Sequence, residues 1–200
     1  MQSFHYPHLP SEYSSVHVAL FTDVTNSAEI RSRIVRAAQL EGRDGDTERE
    51  AVSFAFLDAR LICSLLHLQT AVYQAILAQV QGTIRTKTVH SEILWALNPT
   101  NNISEAIRRY GVADTTTALI VVRICSPELK NVEQLMRTVV SGKLSPIDGL
   151  ADITDWSSVK KYYKLNGEPA LKAVAKDPVQ ERALVEEIVT SSVAMKSVMA

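Results

Sequence analysis

Glycine and cysteine are scarce in this sequence, and neither falls into a pattern that carries chemistry. The glycines, at positions 42, 45, 82, 111, 142, 149 and 167, form no G-x-G-x-x-G and no P-loop, which removes two familiar signatures of phosphate binding. Cys63 and Cys125 are too few and too far apart for a disulfide framework, and both lie in apolar runs. Buried free thiols in a reducing compartment are the expected state. No H-E-x-x-H or C-x-x-C spacing occurs, so no metal site is read; Cys63 and His67 supply at most two ligands and read as a packed pair. A G-x-S-x-G elbow is missing, and the acidic residues show no pairing that a sequence can reveal. These gaps count against an enzyme.

Charge of one sign is also lacking. The formal net charge is −1, so no global field draws the chain to nucleic acid or to anionic membranes, and any such binding needs a local patch. Residues 1–10 have no basic segment followed by an apolar one, so a signal peptide is not expected. From Leu61 to Ile84 there is no Asp, Glu, Lys or Arg. His67, Gln69, Thr70, Gln74, Gln79 and Gln81 would each be costly in hydrocarbon, so this run is expected to be a buried helix and not a membrane span. The chain reads as cytosolic or nuclear.

What is present is organised around Ile84 to Gly111. A short basic run (Arg85, Lys87) leads into an apolar segment, a turn, and a compact helix with both ends marked. Asn102 is a good N-cap, with Glu105 three positions on as in a capping box. Ile103, Ala106, Ile107 and Tyr110 form one helical stripe, and Gly111 is placed to supply a left-handed C′ residue. Ile84 to Val89 reads as extended, which would put Arg85 and Lys87 on one face. Glu92 to Leu97 reads as a strand, with helix as the alternative for so short a run.

The remaining pattern alternates strands and helices. Val16 to Phe21 and Thr117 to Cys125 read as strands, the first apolar on both faces and the second nearly continuously apolar from Leu119 to Ile124, as covered strands are. Phe54 to Leu57 reads as a short apolar strand or extended segment. Asn26 with Glu29 repeats the capping pattern ahead of a helix carrying Ile30, Ile34 and Ala37, with Arg31, Arg33 and Arg36 as a solvated surface. Residues 41–50 are rich in Gly, Asp, Glu and Arg and read as a surface-loop insertion. Ser64 caps a long helix closed by Gly82. Ser126-Pro127 reads as a helix start with proline at N1, lined by Leu129, Val132, Leu135, Met136 and Val139. Ser145-Pro146 opens a short helical piece. Asp155 to Leu165 and a last helix from Asp177 follow, the latter with Leu184, Ile188, Met195 and Val198 on its stripe. There are no internal repeats. The expectation is a single α+β (mixed α/β) domain over 1–200, a small mixed or antiparallel sheet packed with several helices.

Arg85 and Lys87, with His90 just beyond and Arg108 and Arg109 closing the following helix, could form a phosphate-binding patch. Ordinary solvated charge is the competing account, and for Arg108 and Arg109 a cation near a helix C-terminus is favourable whatever the function.

Longer motifs resemble one family. Arg85-Thr86-Lys87, Ser91-Glu92-Ile93-Leu94, Leu97-Asn98-Pro99-Thr100-Asn101-Asn102-Ile103-Ser104-Glu105-Ala106 and Tyr110-Gly111-Val112 look like the kinase-binding small subunit of the KEOPS/EKC complex, the TPRKB family. Ala19 to Arg31, Ala55 to Asp58 with Leu61 to Ser64, and Val159 to Leu165 fit in the same order. Residues 41–50 and the tail after Glu168 depart from it.

The resemblance implies a non-catalytic subunit without a cofactor. It would dock on the complex's small atypical kinase/ATPase and contact the other KEOPS/EKC subunits indirectly. It would help recruit tRNA, through the 3′ CCA end as in archaeal relatives, for threonylcarbamoyl-adenosine modification beside the anticodon. A link to telomere maintenance and residence in nucleus and cytoplasm are further implications. On this reading Arg85 and Lys87 are phosphate contacts, with Arg108 and Arg109 as further candidates. The residues that bind the kinase are not identified. Two other classes remain open: a small enzyme with dispersed residues such as His67, Asp58 and Glu92, and a stand-alone RNA-binding module.

Overall fold

The run Leu119–Cys125 offers water almost nothing, and it forms the strand that lies inside the sheet, buried at every position. The computed structural model, which describes residues 1–199, contains five strands: β1 (Gln2–His5), β2 (Ser15–Thr22), β3 (Ala55–Asp58), β4 (Leu119–Cys125) and β5 (Lys143–Ser145). The order is β1-β2-β4-β3, with β5 also beside β2, and every pairing is antiparallel.

Ten helices complete the described chain: α1 (Ser27–Gln39), α2 (Gly42–Ala51), α3 (Leu65–Val80), α4 (Val89–Leu97), α5 (Ile103–Tyr110), α6 (Val132–Val139), α7 (Leu150–Ile153), α8 (Trp156–Tyr162), α9 (Pro169–Val174) and α10 (Pro178–Met199). The fold is α+β, as the strand and helix pattern predicts.

Side chains alternate across each strand, so the sheet builds two cores. Val16, Val18 and Leu20 of β2 join Ile120, Val122 and Ile124 of β4 under α3, α4, α10 and Tyr110 of α5. Ala19 and Phe21 join Phe56, Leu119 and Val121 on the other face, under Ile30 and Ala37 of α1 and Met136 and Val139 of α6. Ser64 caps α3 by accepting from the His67 amide, and Gly82, at φ +67°, ends it in the left-handed region.

Several local expectations are corrected. Residues 42–51 are helical (α2) and not a surface loop. They bury almost nothing apolar and are held by charge. Glu48 accepts from Arg33 (2.9 Å) and Arg36 (3.0 Å), Arg49 donates to the carbonyls of Ala37 and Leu40 that end α1, and Arg123 reaches Glu50. Composition misses this because the partners lie on neighbouring elements. Glu92 to Leu97 is helix, within α4. Asn26 does not cap α1; its side chain bridges to the Val139 carbonyl and the Ser141 amide, tying α1 to the end of α6. Helix α6 begins at Val132 after a left-handed Asn131, not at Pro127. On α10 the buried stripe is Val185, Val189, Val193 and Lys196, while Met195 and Val198 are exposed. Gly111 has φ −77°. Glycine is required there because a Cβ would stand 2.5 Å from the Ile107 carbonyl oxygen.

Candidate functional site

Residues 84–88 do not form a strand; they turn around a buried carboxylate. Glu92, on the first turn and a half of α4, is 1% exposed. Its oxygens accept from the Arg85 amide (3.0 Å), the Thr86 amide (2.8 Å) and the Thr86 hydroxyl (2.6 Å). Thr88 then caps α4: its hydroxyl accepts from the Ser91 amide, and the Ser91 hydroxyl accepts from the Thr88 amide. A carboxylate near a helix N-terminus also meets the favourable end of the dipole. The loop is therefore fixed from inside by main-chain bonds.

The side chains of Arg85 and Lys87 stand in solvent, and among the described residues no carboxylate pairs with either. His90, grouped with them by position, points inward: it is buried, and its Nε2 accepts from the Ile124 amide.

Helix α5 packs against α4 and carries the other two candidate cations. Arg108 is exposed. Arg109 is different, since it pairs with Glu105 at 2.7 Å, donates to Asn98 Oδ1 and lies 4.4 Å from the Tyr162 ring centroid. That environment gives Arg109 a local structural task. Glu105 does not complete a capping box; its carboxylate receives the Thr100 hydroxyl as well as Arg109, while Asn102 caps the helix alone. The apolar stripe of α5 divides: Ala106 and Tyr110 are buried, but Ile103 and Ile107 are 37% and 51% exposed. Periodicity found the stripe without showing that half of it stays uncovered.

The sequence reading missed Lys196. Its ammonium donates to the carbonyl oxygens of Trp95, Asn98 and Thr100 and lies 3.9 Å from the Trp95 ring centroid. Burial lowers its pKa to about 8, with the charge of Glu92 acting in the opposite direction. Tyr163 donates to the Leu97 carbonyl beside it. The C-terminal end of α4 is thus capped by residues distant in the chain, next to a cavity of about 220 Å3 lined by Asn98, Thr100, Tyr163 and Lys196. A lysine on a mostly apolar helix gave no signal of this role.

The residues weighed for dispersed catalysis each serve local structure. Asp58 accepts the Arg60 amide and pairs with its guanidinium. His67 accepts the Cys63 amide at Nδ1, and burial pushes its pKa down to about 3. The Cys63 thiol is pushed up to about 12, chiefly by burial. A thiol held protonated is not a poised nucleophile, and an imidazole that far below neutrality is a weak general base. Among the described residues no group of three or more His, Cys, Asp or Glu is placed to hold a metal ion, and no helix is long and apolar enough to cross a membrane.

Comparison with known proteins places this geometry in context. A family model described as "Kinase binding protein CGI-121" matches residues 21–197. A Cryptococcus neoformans protein named "EKC/KEOPS complex subunit CGI121" is 36% identical, covering 99% of this chain and 100% of the relative. A Neurospora crassa protein of the same name is 34% identical, covering 98% of each. One from Yarrowia lipolytica is 33% identical, covering 81% of this chain and 86% of the relative.

Proposed function

Since the chain belongs to the CGI-121 family of kinase-binding proteins, we propose that it is a non-catalytic EKC/KEOPS subunit that docks on the complex's small kinase/ATPase and presents a tRNA-contacting loop. The observation that carries the tRNA half is the loop itself. A buried Glu92 fixes the Arg85–Thr86 backbone, so two cations with no carboxylate partner among the described residues project from a rigid turn on a chain whose net charge is −1. Preorganised cations lose less entropy on meeting phosphate than mobile ones. Arg108, exposed on α5, is a further candidate contact, whereas Arg109 contributes through the shape of the turn. A nearly neutral body limits non-specific binding, so affinity for tRNA is modest and falls steeply with salt.

For the kinase half, the uncovered Ile103 and Ile107 of α5 are the apolar surface. On this reading the subunit acts in nucleus and cytoplasm, serves threonylcarbamoyl-adenosine formation on tRNA, engages the 3′ CCA end, and shares the complex's link to telomeres.

Two measurements test the proposal. Pull-down of the tagged chain from extract recovers a small kinase together with a threonylcarbamoyl-transferase subunit, and Ile107→Arg loses both; recovery of neither by the unaltered chain refutes the complex. Arg85→Ala/Lys87→Ala weakens tRNA binding and reduces the salt slope by roughly 1.4, about 0.7 for each lost single-strand phosphate contact. Unchanged affinity with an unchanged slope removes the loop from the tRNA site.

A further inference from the structure

At the edge of the sheet, β1 offers an unfilled place for another strand. Its residues pair with β2 in the register Gln2↔Val18 to His5↔Ser15. The Tyr6 amide donates to the Ser14 carbonyl one step further along. Main-chain groups alternate in direction along an antiparallel strand, so Gln2, Phe4 and Tyr6 address β2, and Ser3 and His5 turn their N–H and C=O outward. Among the described residues nothing pairs with that outer side. Edges are commonly blunted by shortness, lysine or proline; Gln2–His5 is four residues long and contains neither lysine nor proline.

Beside this edge lies an open groove of about 700 Å3 between β1 and helices α3 and α10. Phe4, Tyr6 and Tyr73 give it an aromatic floor, with Tyr6 and Tyr73 ring centroids 5.6 Å apart, and Gln69, Thr70 and Gln74 give it a polar wall. Its lining holds no Asp, Glu, Lys or Arg. An ionic side chain placed there would find no counter-charge. The chemistry therefore selects uncharged side chains on an extended backbone.

We propose that the outer edge of β1, with the groove formed by Phe4, Tyr6 and Tyr73, binds an extended, uncharged peptide segment of a partner protein by strand addition. The outward main-chain groups of Ser3 and His5 hold the backbone, and alternate side chains of the peptide enter the groove. A second copy of this chain fits less well. Four paired residues offer a strip only about 14 Å long and about 5 Å wide, far short of the roughly 1,200 Å2 that a stable interface buries.

The experiment pans a displayed library of random dodecapeptides against the full chain, then measures the enriched peptides in solution. Peptides rich in uncharged β-formers are expected. They should shift the amide resonances of Ser3, His5 and Tyr73, and bind about tenfold more weakly to Ser3→Pro, which removes one outward N–H. Thr70→Arg, a separate variant that places a cation in the groove while leaving β1 intact, should weaken the same peptides. Three outcomes overturn the proposal: no enrichment over the empty display particle, enriched peptides whose affinity both variants leave unchanged, or a concentration-dependent dimer of the unaltered chain that Ser3→Pro abolishes.

Discussion

Mild acid should destabilise this protein well before its carboxylates protonate, because two histidines are locked inside it in the neutral form. Burial pushes both His67 and His90 down to about 3 from an ordinary value of 6.5, with the nearby Arg123 charge adding to the effect at His90. Each also has a reason to stay neutral: His67 Nδ1 accepts the Cys63 amide, and His90 Nε2 accepts the Ile124 amide of β4. Protonation would turn each acceptor into a donor facing a donor.

The sign follows from linkage. A folded pKa below the unfolded one means that the native state binds fewer protons across the interval. The stabilisation is complete above pH 6.5 and is lost as pH falls toward 3. At pH 5 each histidine costs about 2 kcal/mol and the pair about 4 kcal/mol, against a typical domain stability of about 5–15 kcal/mol. His17, also lowered by burial, adds a contribution of the same sign. Asp155, held down to about 2 by the hydroxyls and amides of Ser157 and Ser158, acts only below its ordinary 3.8 and leaves the window clear.

Urea denaturation at pH 7.5, 6.5, 5.8 and 5.0 measures the slope directly. Below 6.5 it should approach about 2.7 kcal/mol per pH unit for the two groups together. His67→Asn keeps an acceptor near Nδ1 and His90→Gln keeps one near Nε2, and each should flatten the profile by about half. A wild-type profile flat from pH 6.5 to 5, or a slope that both variants leave unchanged, refutes the reasoning.

Three other predictions test the architecture around the loop. Glu92→Gln keeps the shape but removes the charge and one acceptor; it should cost about 2–3 kcal/mol. Hydrogen exchange at the Arg85 and Thr86 amides should rise, and tRNA binding should weaken although neither cation has been altered. Lys196→Met leaves the carbonyls of Trp95, Asn98 and Thr100 without their donor; a loss of about 1–3 kcal/mol lowers Tm by about 2–4 °C per kcal/mol in a domain of this size, and an unchanged Tm in a thermal melt counts against the cap. Glu48→Gln, or salt raised to about 1 M where the Debye length is about 3 Å, should speed amide exchange in residues 42–51 while β4 stays protected; uniform exchange throughout would show that α2 does not rest on its ion pairs.

Much of the fold was legible because it depends on local chemistry. Thr117 to Cys125 was read as a strand inside the sheet, and Leu119–Cys125 forms one; Ser64 with Gly82 marked both ends of α3. Asn102 capped α5 as its type and position require. Arg85 and Lys87 were singled out as phosphate contacts on a strand, and the structure leaves both side chains exposed on a turn. The resemblance carried by residues 85–112 reached the family that the whole-chain comparison identifies.

Tertiary structure decided what those signals were used for. An Asn-x-x-Glu pattern reads the same at Asn26 and Asn102, yet only Asn102 caps its helix, because Val139 and Ser141 of a distant segment claim the Asn26 side chain. Residues 42–51 have too little apolar content to order themselves and are helical because Arg33, Arg36 and Arg123 arrive from other elements. Lys196 is a buried cap only because α10 carries it to the carbonyls at the end of α4, and Arg109, although its carboxylate partner Glu105 lies on its own helix, is held by Tyr162 only because α8 packs beside it. Local sequence specifies propensity, capping and period, since these act over a few residues. Which buried charge meets which partner depends on chain packing between residues as much as a hundred apart, and no window of sequence contains it.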